Sequence, residues 1–262
     1  MIFAPRSCPS RPGFAITTLI LAATVGQYRN VKLTVVGCSP AWPNPGGCHS
    51  GYLVTSEGGR LLVDCGPGVL SRLRTGEDWP RVEAIAISHF HLDHCGDLVP
   101  WLWGHLLGPV KGTSGPELWL PPDGRERLEL LSRGAGWDRA FSIREYADGV
   151  SFDAAGTRVT PRRVPHYDEP TWGFRIEGEG SVLAYSADTG PSPVLEDLAR
   201  DADVFLCEAT LLEPETDPHG HLTADEARDA ARAAGARRLL LTHRGAEHPL
   251  PELVYEGLEV EL

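Results

Sequence analysis

Residues 88–94 read Ser88-His89-Phe90-His91-Leu92-Asp93-His94. Three imidazoles and a carboxylate fall within six consecutive positions, directly after the apolar run 82–87. A hydrophobic core has no use for four such side chains. Neutral imidazole nitrogen together with carboxylate oxygen is instead a donor set for zinc and similar divalent ions. A solvated His-rich loop or a helix N-cap is the plain alternative, but it leaves unexplained the further ligand-type residues that follow downstream.

Val82-Glu83-Ala84-Ile85-Ala86-Ile87 reads as a buried strand, short, apolar and rich in β-branched residues. After it the chain turns, and Asp93 and His94 are expected to open a helix running through residue 100. His89 and His91 lie two apart on an extended or turning segment, so both can aim one way. Asp93 and His94 lie beyond the turn and aim at a neighbouring point. The spacing therefore predicts two metal positions, about 3.5–4 Å apart as in hydrolytic two-metal sites.

The pattern His-x-His-x-Asp-His resembles the signature of the metallo-β-lactamase fold superfamily, and the resemblance extends from about residue 31 to the C-terminus. It implies an α/β fold, a four-layer αββα sandwich of two mixed β-sheets flanked by helices. The rest of the sequence can be set on that frame. Strands are expected over 31–37, 50–55, 60–66, 117–120, 150–152, 157–164, 171–176, 181–186, 203–210 and 238–243. Helices are expected over 69–74, 124–133, 194–200 and 224–234, with a further helix or turn over 137–146 near the mouth of the site. The Pro/Gly-rich loop 39–47 is long enough to overhang the site. Thr223 and Glu226 form a capping box for the helix over 224–234, and Gly235 ends it.

Three more ligand-type residues stand at strand ends, where layered α/β architectures place them: His166, Asp188 and His243. The resemblance implies that His89, His91 and His166 hold one ion and that Asp93, His94 and His243 hold the other, with Asp188 bridging. The implied cofactors are two divalent metal ions, zinc foremost, with manganese or iron as alternatives. The ions would share a water acidic enough to supply a bridging hydroxide at neutral pH. Asp64 closes an apolar strand just before Gly66-Pro67-Gly68 and has two readings. It either supports the ligand imidazoles, as the resemblance implies, or caps the helix over 69–74. His105, in an apolar helical context, and His219, in a polar loop, are read as non-ligands.

Cys207-Glu208-Ala209-Thr210 and Gly220-His221-Leu222-Thr223-Ala224 are similar to the His-Glu-Ala-Thr and Gly-His-Ser-Thr-Ala motifs of the ribonuclease Z branch. That likeness implies that His221 protonates a leaving alkoxide and that Glu208 orients it, giving Asp93, His221 and Glu208 as the catalytic set. An alkoxide is a poor leaving group without a general acid. Cys207 stands where the branch has histidine, so no role carries over to it. The branch grips tRNA with a long arm inserted after the strand that follows the third metal histidine. Here only Glu177-Gly178-Glu179-Gly180 separates the strands ending at Ile176 and starting at Ser181. A net charge of −12 also disfavours a polyanionic partner.

The leading expectation is a dinuclear-metal phosphodiesterase acting on a small diester such as a cyclic nucleotide. The alternatives are a tRNA 3′-processing endoribonuclease, a carbon-ester, thioester or lactam hydrolase on the same scaffold, and a non-catalytic metal or redox module. The 262 residues, 42% of them hydrophobic, suffice for one well-buried domain, taken as 31–262. None of the six cysteines forms a Cys-x-x-Cys pair. Cys65, Cys95 and Cys207 are read as buried thiols in a reducing, cytoplasmic compartment. No membrane association is expected, and a homodimer is one open assembly state.

Residues 1–30 are unlike the rest. Arg6 and Arg11 precede an apolar run over 14–25 that imitates a secretory signal but is short for a membrane span. Pro5, Pro9 and Pro12 crowd its basic portion. The segment is read as a leader preceding a true start near Val31, as a signal peptide, or as a loose extension. Deleting residues 1–30 should leave folding and activity intact; loss of soluble protein on deletion would refute this.

Overall fold

The computed structural model describes residues 31–76, 81–134, 136–216 and 219–262. The readings made for residues 1–30 lie outside the described residues. Two mixed sheets face each other. The first contains β1 (Lys32–Gly37), β2 (Gly51–Ser56), β3 (Gly59–Val63), β4 (Ala84–Ala86), β5 (Glu117–Leu120) and β6 (Ser142–Glu145). The second contains β7 (Phe152–Ala154), β8 (Thr157–Val164), β9 (Thr171–Gly178), β10 (Ser181–Tyr185), β11 (Val204–Glu208) and β12 (Leu239–Thr242). A last strand, β13 (Glu259–Glu261), returns to the first sheet. The strand orders are β13-β1-β2-β3-β4-β5-β6 and β12-β11-β10-β9-β8-β7.

Alternation along the strands builds the layers. Leu61 and Val63 point between the sheets with Ala84, Ala86, Phe174, Leu183, Tyr185 and Leu206. Their neighbours Leu62, Ile85 and Ile87 point the other way, onto α1 (Val69–Leu73), α3 (Leu98–Leu107) and α4 (Gly124–Leu131) through Val69, Leu98, Trp101, Leu102 and Leu128. On the far side, Phe205, Cys207 and Leu241 meet α5 (Val194–Leu198) and α6 (Ala224–Ala234) through Leu195, Leu198, Ala227 and Ala231. The result is the expected αββα sandwich. Cys38, Cys48, Cys65, Cys95 and Cys207 are free, buried thiols. Among the described residues, no helix is long and apolar enough to cross a membrane.

The two sheets repeat one connectivity. Strands β1 to β3 pair antiparallel, and β3, β4 and β5 then run parallel. Strands β8 to β10 likewise pair antiparallel, and β10, β11 and β12 run parallel. Between β9 and β10 only Glu179 and Gly180 intervene, both at positive φ (53° and 83°). That is the backbone of a tight two-residue hairpin turn.

Some local expectations need correction. The segment 137–146 is a 3-10 turn (Trp137–Arg139) followed by β6, whose residues are mostly exposed and so show no apolar alternation. The helix expected to run from Asp93 through residue 100 is two: α2 (Leu92–Cys95) and α3, separated at Gly96 and Asp97. There the Asp97 carboxylate accepts from the Leu70 backbone N–H (2.8 Å) and so ties the break to α1. Strand β13 was not expected, because Val260 is its one buried residue. The capping box is present as read: Thr223 Oγ1 accepts from Glu226 N–H, and Thr223 N–H donates to the Glu226 carboxylate. Thr223→Ala should destabilise the protein by about 0.5–2 kcal/mol, read as a lower midpoint in urea unfolding; an unchanged midpoint would show that packing alone holds α6.

Candidate metal centre

Ile87, just after β4, continues its outward-facing row, and the next residues leave the sheet at its C-terminal edge. The backbone of this departure is pinned. Tyr146 OH donates to Ile87 O (2.8 Å), and Phe90 N–H donates to Glu169 (3.2 Å), itself paired with Arg127. His166 follows β8, Asp188 follows β10 and His243 follows β12, all emerging at the same edge.

The structure brings all seven proposed ligands together in two groups that share Asp188. His89, His91, His166 and Asp188 form one; Asp93, His94, Asp188 and His243 form the other. In the first, His91 Nδ1 lies 3.2 Å from His89 Nε2 and 3.1 Å from His166 Nε2. In the second, His243 Nε2 lies 3.3 Å from His94 Nε2 and 3.1 Å from Asp93 Oδ2. Asp188 reaches both groups: its oxygens are 3.3 Å from His94 Nε2, 3.5 Å from His243 Nε2 and 3.9 Å from both His89 Nε2 and His166 Nε2.

The hydrogen bonds on the opposite ring nitrogens decide what these short separations mean. His166 Nδ1–H donates to Gly220 O (2.8 Å) and His94 Nδ1–H to Asp64 Oδ2 (2.8 Å). Ser88 Oγ gives its hydrogen to Asp64 Oδ2 (2.9 Å), so it accepts from His89 Nδ1–H (3.0 Å). Thr210 Oγ1 gives its hydrogen to Glu208 Oε2 (2.7 Å), so it accepts from His243 Nδ1–H (2.9 Å). Each of these four imidazoles therefore carries its hydrogen on Nδ1 and turns a bare Nε2 lone pair into the cluster. Bare lone pairs 3.3 Å apart, as on His94 and His243, repel one another unless a cation lies between them, and that spacing matches the edge of a tetrahedron about a zinc ion with bonds of about 2.0–2.1 Å. Asp188 Oδ1, on a residue 2% exposed, likewise has no hydrogen-bond donor of acceptable geometry. The donor set fits divalent metal ions.

At His94 burial disfavours the charged form, but Asp188 and Asp64 outweigh it and push the pKa well above its ordinary value, so a cation there would have to displace a proton from Nε2. At His89 and Asp188 the electrostatics agree with the geometry. Burial pushes the His89 imidazole well below its ordinary pKa, helped by its imidazole neighbours and against the pull of Asp188. Burial would raise the Asp188 carboxyl, but His243, His94 and His89 outweigh it and hold the group ionised.

Asp64 is fully buried and accepts four hydrogen bonds, from Ser88 N–H, Ser88 Oγ, His94 Nδ1 and Tyr185 OH (2.8–2.9 Å). The helix-cap reading does not hold, because Gly68 is the N-cap residue of α1. Asp64, Ala187 and His243 have φ of 59°, 53° and 57°. Left-handed backbone at such residues costs about 1–3 kcal/mol each, and here it swings a ligand or its support off a strand end.

Glu208 is 1% exposed, and its carboxylate is fully used. Oε1 accepts from Thr189 N–H (2.7 Å) and His221 Nδ1 (2.8 Å); Oε2 accepts from Thr210 N–H (3.1 Å) and Thr210 Oγ1 (2.7 Å). Although Glu208, His221 and His243 have ligand-type atoms within 4.8 Å, no lone pair of Glu208 is left for an ion. The His221 ring sits 4.7 Å from His166 and 5.9 Å from His243, centroid to centroid. Burial disfavours its charged form, but Glu208, with Asp188 and Glu215, outweighs burial and raises its pKa to about 9.

His105 is buried against Phe141, and His219 lies in its loop beside Glu226, 3.5 Å away, both outside the two ligand groups. Loop 39–47 is tied to the residues after His243: Asn44 donates to Arg244 O (3.2 Å) and accepts from Ala246 N–H (2.8 Å). Sequence reading assigned no role to Thr210, although it lies inside a quoted motif, nor to Tyr185, which looks like any core residue of an apolar strand.

Residues 59–244 match the beta-lactamase superfamily domain. The chain belongs to this superfamily. Rv1339 of Mycobacterium tuberculosis (strain H37Rv), an uncharacterized protein, is 36% identical over 226 residues, spanning 83% of this chain and 82% of its own length. Ribonuclease Z of Chlamydia abortus is 27% identical over 270 residues, 83% of this chain and 87% of that enzyme. The crystal structure of the metallo-β-lactamase fold protein YhfI from Bacillus subtilis has a TM-score of 0.77 at 25% identity, covering 88% of this chain and 99% of that one. With the superfamily match and YhfI, a probable metallo-hydrolase, as a relative, the chain is a metallo-hydrolase of the superfamily, with His/Asp clusters that could hold its metal ions.

Because Asp188 faces both groups, Asp188→Ala should lower bound metal, measured by elemental analysis, together with rate. A variant that keeps two equivalents of metal would leave Asp188 an orienting residue only.

Proposed function

We propose that the chain is a phosphodiesterase for small diesters, cyclic nucleotides among them, and that it works with two zinc ions. His89, His91 and His166 would hold one, Asp93, His94 and His243 the other, and Asp188 both. Imidazole-rich donors favour zinc, with manganese or iron as alternatives. Bound there, such ions would polarise the phosphoryl oxygens and make water nucleophilic at neutral pH.

The observation that carries the reading is the His221–Glu208 pair. With Nδ1 donating to Glu208 (2.8 Å), His221 presents Nε2 from a ring that touches His166 of one ligand group and His243 of the other. A proton held there is within reach of an ester oxygen leaving a phosphorus bound between the two groups. Hydrolysis of a lactam or activated thioester has less need of this pair, whereas expulsion of an alkoxide requires it. Glu208 fixes the ring and, through Thr210, also fixes His243, so one carboxylate aligns the proton donor with a ligand.

The ribonuclease Z relatives keep a second reading in view, processing of tRNA 3′ ends. Against it stand the two-residue β9–β10 turn, where the expected RNA-gripping arm would be inserted, and the net charge of −12. Assays of metal-loaded protein with bis-p-nitrophenyl phosphate, cyclic AMP, a tRNA precursor, nitrocefin and a thioester separate the readings; turnover confined to the last two would sink the phosphodiester one.

His221→Ala should keep full metal content and lose about 10²–10⁴-fold in rate on an alkoxide-leaving diester. The loss should be much smaller with p-nitrophenolate, which departs without a proton. Equal losses on both would show that His221 holds substrate or structure instead of delivering a proton.

A further inference from the structure

Tyr167, directly after the ligand His166, combines features that core packing does not explain. Its φ is +44°, a left-handed backbone that a bulky aromatic residue rarely adopts. The side chain is nevertheless 46% exposed. Its ring centroid lies 5.3 Å from that of His166 and 5.6 Å, edge-on, from that of His221. Its hydroxyl donates to the Glu215 carboxylate at 2.7 Å. Glu215 also accepts from Gly220 N–H (3.2 Å), and Gly220 O receives the His166 Nδ1 hydrogen. A Cβ on Gly220 would come within 2.4 Å of the Tyr167 ring, so glycine is required for the ring to lie where it does.

The strained backbone, the hydroxyl tether and the cut-away at Gly220 all serve to hold one aromatic ring in place. Strain of this kind persists where surrounding structure over-determines it, and such residues gather at ligand clamps. A tethered ring loses little freedom when a ligand stacks on it, and stacking accepts any flat ring system. His221 marks the side on which a leaving group would depart, and Tyr167 borders that side.

We propose that Tyr167 is a specificity-determining wall of the substrate site, stacking a planar ring carried by the ester group beside His221. The substrate class is then a phosphodiester of a ring-bearing alcohol, a nucleoside ester being the case that joins a phosphate to a flat base. The proposal rests on the phosphodiesterase reading, which supplies the phosphate anchor.

Calorimetric titration of metal-loaded protein with adenosine 5′-monophosphate and with ribose 5-phosphate isolates the ring, because the two ligands share the phosphate and sugar. The wild type should bind the nucleotide roughly 10- to 100-fold more tightly, the range expected for one stacked base. Tyr167→Ala should erase that preference with metal content unchanged. Tyr167→Phe should retain most of it, since the ring remains and only the tether to Glu215 is lost. Equal affinities in the wild type, no binding of either ligand, or a preference that survives in Tyr167→Ala would overturn the proposal. Metal loss in Tyr167→Ala would also overturn it, by showing that the residue acts through His166. Hydrolysis of bis-p-nitrophenyl phosphate by the same preparations keeps the two readings apart. Turnover without ring preference rejects the role of Tyr167 alone, and absence of turnover rejects the phosphodiesterase reading.

Discussion

The centre depends on hydrogen bonds made away from it. Four imidazoles turn a bare Nε2 into the cluster, His94 and His243 within 3.3 Å of each other, because the opposite nitrogen of each is held by an acceptor: Ser88, Asp64, Gly220 O and Thr210. Two buried carboxylates organise most of this. Asp64 collects Ser88, His94 and Tyr185, while Glu208 collects Thr189, Thr210 and His221. Each accepts four hydrogen bonds from the residues around the ligands, so both are spent on aim.

The repeated connectivity of the sheets explains why these carboxylates occupy comparable places. Asp64 follows the third strand of the first repeat and Asp188 the third strand of the second, each at a left-handed kink (Asp64 itself, and Ala187 just before Asp188). The His-rich stretch follows the fourth strand of the first repeat, and Glu208 ends the fourth strand of the second. One backbone plan, used twice and brought face to face, delivers acidic side chains to one edge from both sheets. Side-chain chemistry then divides the labour between aligning imidazoles and lining the candidate ion positions.

Much of this was legible before any coordinates. Four ligand-type residues in six positions, together with strand-end His166, Asp188 and His243, named both groups. The αββα layering followed from the resemblance and was supported by strands such as Leu61-Leu62-Val63. Other features stayed hidden for physical reasons. β6 and β13 are exposed edge strands, held by backbone pairing and carrying almost no apolar pattern. Tyr185 sits among apolar neighbours, and its function resides in a single hydroxyl. The choice between the two readings of Asp64 needed three dimensions, since its partners lie 24, 30 and 121 positions away. Positive φ at Ala187, Tyr167 and His243 leaves no trace in residue type.

Ions held at the two ligand groups would tie the endurance of the molecule to its metal supply. Left-handed alanine, tyrosine and histidine residues are costs that the folded chain carries whether or not ions are present, and facing lone pairs are a cost it would carry without them. Ions bound at these groups would relieve the lone-pair repulsion, and the unfolded chain, lacking the assembled groups, would gain far less, so binding free energy would become folding free energy. A cell short of the metal would therefore hold a softer protein as well as a slower one, and the same ions would govern how long each copy survives and how fast it works.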